Sequence, residues 1–159
     1  MTLLLDILAT VAALATAVIF GTDTLGALVM RPTYAAVDDA TMTRVVGLSH
    51  RYGNARMPIP GILSVVAGAA AALTAFLIGR PAAGAAAGSA LLLLLVWLVL
   101  FNRISLPINK VFIEAAEAGR VPPGARQLQQ RWDSIINLRA VLQGVALLGF
   151  CLTLALAAA

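Results

Sequence analysis

Four long apolar runs alternate with two long polar stretches and one short turn. The first run, 3–30, is broken chiefly by Asp6 and by Thr22-Asp23-Thr24, and the second, 58–78, carries no charge. The third, 82–101, contains the unbroken large-apolar stretch Leu91 to Phe101. The fourth, 134–159, holds Asn137, Arg139 and Gln143 in its first half. A helix needs about 20 apolar residues to cross the hydrocarbon core of a bilayer. The pattern therefore predicts a single all-α domain over 1–159, an integral membrane bundle of four transmembrane helices.

The connections differ in kind. Gly79-Arg80-Pro81 is a tight turn, which makes the second and third helices antiparallel neighbours. The stretches 31–57 and 102–133 are long and polar, with Pro32 and Pro107 shortly after a helix end. In the second, Ile108, Val111, Phe112 and Ala115 recur at helical spacing opposite Lys110, Glu114 and Glu117. Short interfacial helices in both loops are the reading of that pattern. Both halves thus follow one plan of helix, proline, interfacial segment and helix, as if related by a twofold along the membrane normal. The pairs Gly84/Gly88 and Gly68/Ala72 mark candidate sites of close helix approach.

Basic residues orient this plan. Arg31, Arg44, Arg51 and Arg56 fall in the first loop and Arg103, Lys110, Arg120, Arg126 and Arg131 in the second, against Arg80 alone in the intervening turn. The positive-inside rule then puts both long loops in the cytoplasm and both termini outside, in a multi-pass protein of the inner (plasma) membrane. The first residues carry no Lys or Arg, so the first run is read as a retained helix rather than a signal peptide.

Composition agrees with a lipid environment. Hydrophobic residues make up 61% of the 159 positions and charged ones 11%, with a mean hydropathy of +0.95; soluble domains hold about 45–50% and about 25% respectively. The net charge of +4 is spread between apolar spans rather than gathered on one surface, which argues for a bilayer partner and against nucleic acid. One cysteine, Cys151, and one histidine, His50, leave no intramolecular disulfide and no two-histidine metal site. Phosphate loops, dinucleotide fingerprints and HExxH are absent from the sequence.

Candidate chemistry then lies in the polar residues of the spans, because a charge at the bilayer centre costs about 2.5–3.5 kcal/mol even on insertion scales. Asp23 and Arg139 lie at similar depths from the loop ends of their helices and are expected to pair in the interior, with Gln143 sharing the network; the alternative is that each escapes to the headgroups. His50, whose ordinary pKa lies near neutrality, is a candidate base at the mouth of the bundle or else an interfacial helix residue. Tyr34, Tyr52, Trp97 and Trp132 fit an aromatic belt, and Trp132 also fits a wall for an aromatic ligand. Cys151, among apolar residues, reads as a buried inert thiol.

The stretch His50-Arg51-Tyr52-Gly53-Asn54-Ala55-Arg56-Met57-Pro58, the triplet Pro107-Ile108-Asn109, and Trp132 followed after four residues by Asn137-Leu138-Arg139, set in a four-helix layout, together resemble the anthrone oxygenase family of small membrane proteins, most of them of unassigned activity. Related sequences often carry a histidine near the place of Asn137, which this chain lacks. The resemblance implies, as in some members, oxidation of an anthrone to an anthraquinone by dioxygen; an anthrone has an acidic carbon position, and its enolate can react with dioxygen without a bound cofactor. His50 or Asp23 would be the base, and Arg139 with Asn137 would hold the oxyanion. Trp132, Gln143 and Asn109 complete the candidate substrate-binding set. Two other readings stand beside this one, an accessory or scaffold bundle and a lipid- or quinone-binding protein, and a homo-oligomer is compatible with all three.

Overall fold

The computed structural model describes residues 2–158, and among them every regular element is helical. In chain order these are α1 (Thr2–Leu25), α2 (Arg31–Ala35), α3 (Asp39–Arg56), α4 (Pro58–Leu77), α5 (Pro81–Leu100), α6 (Leu106–Glu117), α7 (Ala125–Asp133) and α8 (Ile136–Ala158). Two π-helical turns, Gly26–Met30 and Phe101–Ser105, join α1 to α2 and α5 to α6 without a break. The helices containing α1, α4, α5 and α8 are long and apolar enough to cross a membrane.

These four spans form a ring in which α1 packs on α4, α4 on α5, α5 on α8 and α8 on α1. Its interior is made mostly of alanine, including Ala9, Ala12, Ala71, Ala75, Ala83, Ala87 and Ala146. The large side chains point the other way: Leu14, Leu28, Ile59, Leu73, Leu77 and Leu92 are all more than half exposed. A soluble bundle buries its leucines and shows its alanines to water, whereas lipid tails are as apolar as leucine and helices in lipid associate through small residues. This inside-out distribution makes the chain a membrane protein. Gly68 shows the need for small residues, since a Cβ there would stand 2.7 Å from the Phe150 ring. Gly84 likewise leaves room for the Phe76 ring, while a Cβ at Gly88 would meet nothing within 4 Å. Cys151 is exposed, which corrects the expectation of a buried thiol: it lies on the outer face of α8 beside Leu152.

The tight turn after α4 closes by geometry that glycine alone adopts without strain. Gly79 has φ +75, the Arg80 amide donates to the Ala75 carbonyl at 2.8 Å, and the Gly79 amide donates to Phe76 at 3.2 Å. Pro81 then opens α5 at a position where an amide hydrogen would have no partner.

At the other end, prolines explain the two π turns. A proline inside a helix clashes with the carbonyl four residues back, which for Pro32 is that of Leu28 and for Pro107 that of Arg103. Both carbonyls lie within the π turns, where the ladder widens: the Arg31 amide bonds to Gly26 and the Leu106 amide to Phe101, each five residues back. The same device at the same place in both halves is the structural counterpart of the repeated plan. Both long loops are helical, as their periodicity predicts, and α3 packs on α6 to form a cap. The contact buries Met42, Val46, Ile108 and Phe112, joined by Ala125 of α7, while Val111 is exposed. Gly47 is the closest approach, with no room for a side chain between it and Phe112 and Ala116.

Candidate functional site

Near the capped end of the ring, α1, α5 and α8 turn polar side chains onto one another. Asp23 of α1 and Arg139 of α8 form an ion pair at 2.8 Å, with side chains 7% and 5% exposed. Gln143, one turn beyond Arg139, donates from Nε2 to Asp23 Oδ2 at 2.7 Å, and Trp97 of α5 donates from Nε1 to the same oxygen at 3.3 Å. Arg139 also donates from Nη1 to Ser105 Oγ in the second π turn at 2.6 Å. Its guanidinium lies over two aromatic rings, 5.3 Å from the centroid of Trp132 and 5.5 Å from that of Phe101. Asp23 thus meets three donors, which is what a carboxylate inside a bundle requires to remain there.

A cavity of about 630 Å3 adjoins this network. Asp23, Arg139, Trp97 and Trp132 line it together with His50, Asn54 and Asn109 from the cap and apolar residues of α1, α4 and α5. A chain of amides holds the cap side. Trp132 Nε1 donates to Asn109 Oδ1 at 3.0 Å, and Asn109 Nδ2 donates to Asn54 Oδ1 at 3.1 Å. His50 of α3 stands against Trp132 with ring centroids 5.4 Å apart. Its Nε2 is buried without a hydrogen-bond partner, as is Nε of Arg139. Burial first, and the charge of Arg139 second, push the His50 pKa down to about 4, so the imidazole is neutral at pH 7.

The wall of the cavity is incomplete on the sides of α4. Leu25 of α1, Ile62 and Val66 of α4 and Leu98 of α5 all line it and are exposed. On helices that cross a membrane these residues meet acyl chains, so the cavity has an opening toward the bilayer.

Of the residues singled out in the sequence, the structure brings Asp23, His50, Asn109, Trp132, Arg139 and Gln143 together. Asn137 is the exception: it is exposed, makes no hydrogen bond to the network and does not line the cavity. The buried face of α8 runs through Ile136, Arg139, Gln143, Ala146 and Phe150, and at about 100° per residue Asn137 points away from Arg139. Trp97 and Ser105 were not singled out as members of the network. Among the described residues no group of three or more His, Cys, Asp or Glu side chains is placed to hold a metal ion. Neither a protein-family model, nor a curated protein, nor a solved structure matches the chain.

Proposed function

We propose that the protein takes an apolar aromatic molecule from the bilayer into this cavity and oxidises it with dioxygen, an anthrone being the model substrate. The observation that carries the reading is the pairing of two unpartnered polar atoms, His50 Nε2 and Arg139 Nε, on side chains that border one apolar cavity and flank Trp132. A neutral imidazole accepts the proton from the acidic ring carbon, and the electron pair moves to the ring oxygen as an enolate. Arg139 stabilises that oxyanion, and Trp132 offers a face to the ring. The enolate passes an electron to dioxygen, the two radicals join as a carbon-bound peroxide that takes the proton back from His50, and loss of water with the remaining hydrogen of that carbon leaves a new carbonyl. The sum is anthrone plus dioxygen giving anthraquinone plus water. Asp23, whose two oxygens are occupied by Arg139, Gln143 and Trp97, acts as counter-ion and fixes the guanidinium rather than serving as base. The capped end is assigned to the cytoplasm from the excess of arginine there.

The test is oxygen uptake and quinone absorbance with the protein in lipid nanodiscs. His50→Ala should abolish turnover while leaving the melting temperature near that of the parent, and parent turnover should fall as pH drops toward about 4, where the imidazole gains its proton. Undiminished turnover in His50→Ala removes His50 as the base. Because the cavity opens toward lipid, a binding protein for a quinone or lipid is the second reading. A co-purified molecule recovered unchanged after incubation with dioxygen would favour it.

A further inference from the structure

We propose that a second cavity at the capped end seats the head group of a phospholipid that carries both a phosphate and a free ammonium. This cavity, about 570 Å3, lies between α2 and α7 and is lined by polar side chains, among them Arg31, Arg126, Gln129, Asp133 and Ser134. Its charges are unequally used. Arg126 is consumed by the protein: Nε donates to Asp39 Oδ1 at 2.6 Å, Nη1 to the Tyr34 carbonyl at 2.7 Å, and Nη2 to the Val37 carbonyl. Arg31 and Asp133 belong to none of the ion pairs among the described residues, which are Arg51–Glu117, Arg126–Asp39 and Arg139–Asp23. Asp133 receives a single hydrogen bond, from Gln129 Nε2 at 2.9 Å. Gln129 is 5% exposed, and its Oε1 is buried with no donor.

What remains is one cation, one carboxylate and one amide oxygen in need of a donor. A simple anion answers only Arg31, and a simple cation only Asp133 and Gln129 Oε1. A phosphate joined by a short link to an ammonium answers all three, with the phosphate on Arg31 and the ammonium hydrogens shared by Asp133 and Gln129 Oε1. The depth is that of a lipid head group, because Arg31 directly follows one apolar run and Ser134 opens another. One turn into each helix, Leu28 and Leu138 are 72% and 50% exposed and offer the acyl chains a surface below the head group. Tyr34, Gln129 and Asp133 also line the apolar cavity, so the two sites share a wall. None of this depends on the oxidation chemistry.

Native mass spectrometry of the full chain released from detergent micelles, with equal amounts of phosphatidylethanolamine, phosphatidylcholine and phosphatidylglycerol, tests the assignment. The expected result is retention of phosphatidylethanolamine over the other two, because the choline head group has no ammonium hydrogens and the glycerol head group no cation. Asp133→Asn should lose that preference, and Arg31→Gln should lower retention of all three lipids. Melting temperatures without added lipid check that each variant is folded, and if Asp133→Asn is not, the loss in Arg31→Gln carries the test. Equal retention of the three lipids by the parent, or a preference that survives Asp133→Asn, overturns the proposal. Stabilisation by soluble phosphoethanolamine equal to that by the lipid overturns the lipid assignment.

Discussion

Asp23 and Arg139 are each costly to bury alone, and their surroundings show how the cost is met. The carboxylate accepts from Arg139, Gln143 and Trp97, and the guanidinium donates to Asp23 and Ser105 while lying over two rings. Removing one partner strands the other charge, so Asp23→Asn or Arg139→Gln is expected to cost about 3–5 kcal/mol of stability. The double variant Asp23→Asn/Arg139→Gln should lose clearly less than the sum of the single losses, measured by unfolding from lipid micelles. Additive losses would mean that the pair does not interact in the folded state. The pair itself was legible in the sequence, because two opposite charges at matching depth in apolar helices have few other places to go. Gln143 was legible with it, but Trp97 and Ser105 were not. Trp97 looks like any belt aromatic and Ser105 like any loop serine, and what recruits them is a contact across 74 residues in one case and 34 in the other. Asn137 was misjudged although the signal was present, since the helical period that brings Arg139 and Gln143 to one face turns Asn137 to the opposite one.

At the scale of elements, hydropathy alone picked out the four helices that are long and apolar enough to cross a membrane. The π turns were beyond its reach. Pro32 and Pro107 read as the ends of helices, yet each helix passes through its proline by widening for one turn, so α5 continues into α6 and carries Ser105 to Arg139. The loop helices were legible as amphipathic, but periodicity does not say what the apolar face meets, and here α3 and α6 largely cover each other. Gly47 is the tightest point of that contact. Gly47→Ala drives a methyl group into the Phe112 carbonyl and Ala116, and overpacking of this kind costs about 1–3 kcal/mol. The expected outcome is faster amide exchange along α3 with little change in the spans, followed by hydrogen-exchange mass spectrometry. Unchanged exchange in α3 would show that the two helices can part without loss.

For the whole molecule, the ring order and the single capped end follow from four spans joined by one tight turn and two long helical loops. The side on which the cap lies rests on arginine distribution, and a cysteine at position 120 in a Cys151→Ser background decides it. Labelling of Arg120→Cys by a membrane-impermeant maleimide only after the cells are opened supports a cytoplasmic cap, whereas labelling of intact cells reverses the orientation. One further consequence follows from the ion pair that joins α1 to α8. Of the four spans α1 is made before the others and α8 after them, and Asp23 and Arg139 are separated by 116 residues. At about 5–20 residues per second, the ribosome delivers the arginine on the order of ten seconds after the aspartate. During that interval Asp23 lacks its cation and the Gln143 amide, and only the arrival of α8 supplies both. Emergence of α8 is therefore the event that closes the ring, and a ribosome stalled before α8 holds three spans in which α4 packs on α1 and α5 but Asp23 has no cation.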